Sequence, residues 1–201
     1  MIFYFTENRK STEFLFITFS ALTLKTKSNE KINTIIIMSM SVFGQSKVEF
    51  TKGGITPIVT EVEGMTAEQL YNKTKEWVQN TFKNPNEVLK ADVANDMIRI
   101  NGYQQNFFWV RSIIKQYYNL SYSLEFNFKD GKYRTTFTSD RISHDNTANV
   151  VFSESDFFKK EGEVRKVYAD AHKSYVESVE ALLKSHNDYI TGKSADSKKD
   201  W

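Results

Sequence analysis

Leu120, Tyr122, Leu124, Phe126 and Phe128 alternate with Ser121, Ser123, Glu125, Asn127 and Lys129 until the chain reaches Asp130-Gly131. Period-two alternation belongs to a strand with one buried face and one wet face. Asp-Gly is the dipeptide of a type I′ hairpin turn, whose two central residues both take positive φ. The pattern predicts a hairpin of Tyr118–Phe128 with Lys132–Arg141. A two-residue turn then sets Phe128 against Tyr133, Leu124 against Phe137 and Asn127 against Arg134.

The remaining elements follow from the same reading of periods. Val48 and Phe50 flank Glu49 as a short strand, and Lys52-Gly53-Gly54 supplies a turn. Ile58, Thr60 and Val62 alternate with Val59, Glu61 and Glu63 in a second strand that Gly64 ends. Thr66-Ala67-Glu68-Gln69 spells a capping box. Behind it Leu70, Thr74, Trp77, Val78, Thr81 and Phe82 form a helical stripe, which Asn84-Pro85 stops. Trp77 is the expected anchor of this helix on a sheet. Leu89, Ala91 and Val93 lead into an Asn95-Asp96 turn and the strand Met97–Tyr103. A two-residue loop there pairs Val93 with Ile98, Ala91 with Ile100, and Asp92 with Arg99. Gln104–Gln116 is apolar at Phe107, Phe108, Trp109, Val110, Ile113 and Ile114 but matches neither period. It reads either as a strand with a bulge or as a short helix covering the sheet edge.

From Glu161 to Ile190 the positions Val164, Tyr168, Ala171, Tyr175, Val179, Leu182, His186 and Tyr189 fall on one helical stripe. A helix of that extent spans about 45 Å, longer than one sheet is wide, so it must project, bend or break. Thr191-Gly192 ends it, and 193–201 is a charged tail. Hairpins joined to two helices predict a single α+β domain over 46–192: a two-layer antiparallel sheet with two helices packed on one face.

Residues 1–45 stand apart as an N-terminal targeting segment. Lys25, Lys27 and Lys31 lead into the apolar run from Ile32 to Phe43, with small residues at the Val42-x-Gly44 pattern. Over 25–44 this is signal-like, and the run is shorter than the roughly 20 residues of a spanning helix, so no transmembrane anchor is expected in the mature chain. The expected location is periplasmic or secreted, with translation starting near Lys31 and the upstream part over-extended. The alternative is an N-terminal arm on a cytoplasmic protein.

Charge and cysteine content narrow the chemistry. Of the 27 Lys and Arg and 25 Asp and Glu, five and three lie in residues 1–45, leaving 22 of each in the remainder. Binding to nucleic acid needs a basic stripe, so no nucleic-acid partner is expected. The absence of cysteine removes disulfides, thiolate zinc sites and cysteine nucleophiles together.

Several short stretches, in order, resemble a bacterial domain of unknown function with a TBP-like fold. They are Thr60-Glu61-Val62-Glu63-Gly64, then Thr66-Ala67-Glu68-Gln69-Leu70-Tyr71 with Trp77, then Lys83-Asn84-Pro85-Asn86-Glu87-Val88. Ile98-Arg99-Ile100-Asn101-Gly102-Tyr103 and Phe128-Lys129-Asp130-Gly131-Lys132-Tyr133 complete the set, which spans roughly 46–143. The resemblance implies a curved antiparallel sheet with packed helices and an exported protein. It brings no catalytic or binding residues.

The titratable side chains offer little. His172 and His186 are about 21 Å apart along one helix, too far to share an ion. Asp140, His144 and Asp145 are a compact polar cluster that fits a solvated turn better than a metal site. No nucleophile elbow, phosphate loop, dinucleotide signature or zinc-protease motif is present. No catalytic residue, metal or cofactor is assigned. The function read from the sequence is a non-catalytic module for a small or hydrophobic ligand, lined by Phe126, Phe128, Tyr133 and Phe137 on the sheet and Tyr168, Tyr175 and Tyr189 on the helix. The alternative is a protein-interaction module acting through the long helix or through an exposed Phe107, Phe108 and Trp109. A hydrolase with an unrecognised site is the third reading. The identity of the partner is left unknown.

Overall fold

The structure, a computed structural model, describes residues 47–111, 113–144 and 152–193. The signal-like segment 25–44, Asp145 and the charged tail beyond Lys193 lie outside the described residues. A small hairpin of β1 (Phe50–Thr51) and β2 (Gly54–Ile55) precedes β3 (Ile58–Glu61), α1 (Ala67–Thr81) and a single turn α2 (Pro85–Val88). Then come β4 (Leu89–Val93), β5 (Met97–Arg111), β6 (Lys115–Lys129), β7 (Lys132–His144) and, after two 3-10 turns, α3 (Ala169–Ile190). The main sheet has five antiparallel strands in the order β3-β7-β6-β5-β4. The expected α+β architecture, antiparallel sheet with helices on one face, is the one observed.

The central hairpin has the expected register: Phe128 faces Tyr133, Leu124 faces Phe137 and Asn127 faces Arg134. Its turn differs from type I′, because Gly131 has φ 76 while Asp130 is not left-handed. Contacts from a distant segment set that shape. Asp130 Oδ1 accepts from the Ala67 amide at 2.8 Å. Gly131 N–H donates to Met65 O at 2.8 Å, and Gly131 O accepts from Val62 N–H at 2.7 Å. The start of α1 is thereby tied to the hairpin tip. Thr66 and Gln69 form the capping box that the sequence spells.

The β4–β5 hairpin is paired one residue away from expectation. Ala91 faces Arg99, Asp92 faces Ile98 and Val93 faces Met97, with an irregularity between Leu89 and Ala91. The loop holds Ala94, Asn95 and Asp96, and Asn95 takes φ 63, a conformation asparagine tolerates. The expected Asp92–Arg99 pair is therefore absent. Asp92 instead takes Lys75 Nζ at 2.7 Å and the Tyr71 hydroxyl, both on α1, while Arg99 binds Glu125 on β6. The hydrogen bond from Lys75, with a second from Tyr71, holds the Asp92 carboxyl below its usual range. Tertiary partners on α1 outweigh a cross-strand pair worth only about 0.2–1 kcal/mol.

Gln104–Gln116 resolves as the bulged-strand reading only as far as Arg111, where β5 ends; the chain then turns, and Lys115 already begins β6. Pairing of β5 with β6 shifts between Gln104 and Phe108, where Asn106 sits at φ 52. The displaced Asn106 amide donates to Asn119 Oδ1 at 2.9 Å, so a side chain replaces the missing ladder bond. The helix expected from Glu161 starts only at Ala169. Gly162 at φ 90 and a bridge between Phe158 and Val164 fold 158–165 into a turn, leaving 22 helical residues, about 33 Å.

The core is aromatic and has two centres along α3. Tyr175 is surrounded by Phe50, Phe107, Phe108 and Phe157 at ring separations of 4.6, 5.4, 5.4 and 5.7 Å. Three turns later His186 sits between Trp77, Phe126 and Tyr133 at 4.9, 4.2 and 5.0 Å. Trp77, 1% exposed, anchors α1 as expected. Beyond the reach of β4, the free edge of β5 is covered by α3. Trp109 N–H donates to Ser174 Oγ at 3.2 Å, and Ser178 Oγ donates to Phe107 O. Two serines one helical turn apart thus satisfy backbone groups that a sixth strand would otherwise take.

Candidate functional site

The cleft that best suits a ligand opens between α3 and the β3–β7 side of the sheet, with a volume of about 500 Å³. Its floor consists of two registered cross-strand pairs, Thr60 with Tyr133 and Ile58 with Thr135. Alternation along β7 turns Tyr133 and Thr135 toward the helices, and both are buried. Across from them, Glu177, Glu180, Ala181 and Lys184 recur at helical spacing along α3, and Leu183 and Asn187 widen that face. Small residues leave room where larger ones would close the layer: alanine at 181 and threonine at 60 and 135. On its other side α3 packs against α1 and β5, leaving this edge open. Val48 closes the apolar wall, and Lys47 and Lys184 stand at the rim with Glu177 and Glu180.

The polar floor is ordered. The Tyr133 hydroxyl donates to Asn187 Oδ1 at 3.3 Å, and both side chains are buried. Burial pushes the Tyr133 phenol up to about 12, against a smaller opposing hydrogen bond with Thr60. Tyr133 is therefore a neutral hydroxyl near neutral pH, fit to hydrogen-bond a ligand and unfit to act as a base. Hydroxyls, one amide and aliphatic walls make a surface for recognition.

The aromatic residues expected to line a gap are placed differently. Phe126, Phe128, Phe137 and Tyr175 are buried and packed against one another or against α1. Tyr168 and Tyr189 are half-buried; Tyr168 packs on Phe152, and the Tyr189 hydroxyl accepts from Asn80 Nδ2 at 2.8 Å. Of the seven, Tyr133 reaches the cleft. Nor are Phe107 and Phe108 an exposed patch: each is 1% exposed, because the β5 bulge turns both beneath α3. Trp109 is half-buried under Lys115, whose Nζ lies 4.2 Å from the ring centre. Thr60 reads from the sequence only as a position on the inner face of a strand, and Thr135, Ala181 and Asn187 escape sequence reading because small and amide side chains carry no periodic signal.

Two other polar groupings lie outside the cleft. Asp140 Oδ2 accepts from Ser123 Oγ at 2.9 Å on the open face of the sheet. Among the described residues no three His, Asp or Glu side chains converge as metal ligands. Glu154, held above its usual range by burial, accepts from the Tyr175 hydroxyl. That bond fastens the first 3-10 turn to α3 beneath Gly54.

Five antiparallel strands under two helices, with the first family stretch running from β3 into α1, define the comparison. Residues 58–143 match the family DUF4468, a domain of unknown function with TBP-like fold. The match thus covers the sheet side of the cleft and α1, and ends before α3 supplies the opposite wall. A crystal structure of a DUF4468 family protein from Bacteroides ovatus superposes with a TM-score of 0.57 at 12% identity, covering 72% of this chain and 90% of that one. A TBP-like protein from Parabacteroides distasonis gives a TM-score of 0.47 at 14% identity, covering 68% of this chain and 91% of that one. No curated protein matches the chain. The family match over residues 58–143 and the Bacteroides ovatus structure show a TBP-like fold, and among the described residues no helix is long and apolar enough to cross a membrane.

Proposed function

We propose that this DUF4468 domain is a non-catalytic module that binds a small amphipathic molecule in the cleft between α3 and the β3–β7 edge. One observation carries the reading: a cleft of about 500 Å³ whose floor presents the buried hydroxyls of Tyr133 and Thr135 and the Asn187 amide between aliphatic walls. Small-molecule sites fall in the range of about 300–1,000 Å³ and combine apolar lining with few, well-placed polar groups. Rim charges of both signs favour a ligand with a neutral or zwitterionic polar end. The neutral Tyr133 phenol supports binding over acid–base chemistry. Native mass spectrometry of protein purified from its own source tests this. Wild type is expected to retain a small molecule that Ala181→Trp, which fills the cleft, does not. Absence of any bound mass in wild type, or equal retention by both proteins, refutes the reading.

We also propose that segment 25–44 exports the domain, on the strength of Lys25, Lys27 and Lys31 before an apolar run and the Val42-x-Gly44 pattern. Sequencing the mature N-terminus should give a start just past Gly44. A mature chain starting near Met1 rules export out.

A further inference from the structure

The hairpin of β5 and β6 ends in two aliphatic side chains surrounded by water. Ile113 is 102% exposed and Ile114 73%. Just behind them, on the outer face of the hairpin, Trp109 stands opposite Tyr117 and Arg111 opposite Lys115. Lys115 lies over the Trp109 ring, and Tyr117 is 45% exposed. Arg111 reaches Asp170 at 3.1 Å yet keeps most of its side chain in water. The 3-10 turn Lys166–Tyr168 packs on β5 and adds the exposed Val167 beside Lys166.

An aliphatic tip, an aromatic collar and a ring of cations match the layers of a lipid interface. Isoleucine prefers the acyl boundary, Trp and Tyr the headgroup level, and Lys and Arg the phosphates. Among the described residues, Arg111, Lys115 and Lys166 outnumber the Asp170 carboxylate that Arg111 reaches, a positive balance that an anionic surface complements. We propose that the β5–β6 hairpin docks on an anionic lipid bilayer, with Ile113 and Ile114 inserted and Arg111, Lys115 and Lys166 meeting the headgroups. Two inserted aliphatic side chains make weak, reversible docking, comparable to a single short lipid anchor at most. The other candidate occupants, a protein partner or a second copy of the chain, predict no affinity for lipid.

Flotation of the full-length chain with phosphatidylcholine vesicles, with or without about one third phosphatidylglycerol, tests the proposal. Wild type is expected to float with the anionic vesicles, more weakly as salt rises. Ile113→Asp combined with Ile114→Asp should lower the bound fraction about tenfold at unchanged Tm, since both side chains are exposed. Lys115→Glu should lower it about threefold. Because the full chain includes residues 1–45 in every sample, binding that the isoleucine variant leaves unchanged overturns the proposal. So does failure of wild type to float.

Discussion

Acidification should destabilise this domain through His186. The ring is wholly buried between Trp77, Phe126 and Tyr133, and its Nε2 lies 2.9 Å from Thr74 Oγ1. Thr74 donates its one proton to the Leu70 carbonyl at 2.9 Å, so its oxygen accepts from the Nε2–H of a neutral imidazole. Burial pulls the His186 pKa down to about 3. The unfolded chain titrates near 6.5, so it takes up the proton over a window in which the native state refuses it. The contribution is complete above about 6.5 and is lost progressively as the pH falls toward about 3. At about pH 5 the loss amounts to about 2 kcal/mol, from one and a half units at about 1.36 kcal/mol each. For a chain of this size that is a fall of about 4–8 °C in Tm. Glu154 has the opposite sign: its raised pKa favours the native state as pH falls and loses that contribution as pH rises. Urea unfolding of wild type and His186→Gln at about pH 7.5 and pH 5 separates the two. Glutamine can still donate to Thr74 but cannot titrate, so the stability difference between the two pH values should shrink by about 2 kcal/mol in the variant. Identical pH dependence in both proteins would refute the assignment, as would NMR showing the folded His186 ring titrating near 6.5.

Two further predictions concern backbone accommodation. Gly102 faces Tyr122 across β5 and β6, and a Cβ at Gly102 would lie 2.4 Å from the Tyr122 ring. Gly102→Ala should cost about 1–3 kcal/mol in urea unfolding, partly recovered by adding Tyr122→Leu; a neutral single variant would show that the ring moves freely. Ser174→Ala and Ser178→Ala should each cost about 1–2 kcal/mol by stripping partners from the edge of β5. Hydrogen exchange should accelerate at the Trp109 amide in Ser174→Ala, and an unchanged rate there would mean the edge is protected by something other than the helix hydroxyls.

The parts of the fold that could be read directly were those set by near neighbours in the chain. Strict alternation on both sides of Asp130-Gly131 left one register that buries Phe128, Tyr133, Leu124 and Phe137 together, and a one-residue slip would expose them all. The capping box at Thr66 and Gln69 is likewise local. The β4–β5 hairpin lacked that constraint. Leu89–Val93 offers one large apolar residue and small alternatives, so either register was compatible with its pattern. The choice fell to Lys75 and Tyr71, which reach Asp92 from α1. The type of turn at Asp130 was decided in the same way, by contacts from Val62, Met65 and Ala67.

Sequence by itself determined an antiparallel sheet with aromatic inner faces, two covering helices, and a stripe on the last of them that included His186. Tertiary packing alone decided which aromatics became core and where a cavity was left. Large apolar side chains draw together until they exclude water, so Phe126, Phe137 and Tyr175 close on one another. The cleft survives beside them, where Ala181, Thr60 and Thr135 are too small to fill the space between helix and sheet edge. Periodicity records which face of an element is buried, but the gap depends on how far apart two elements distant in the chain come to rest.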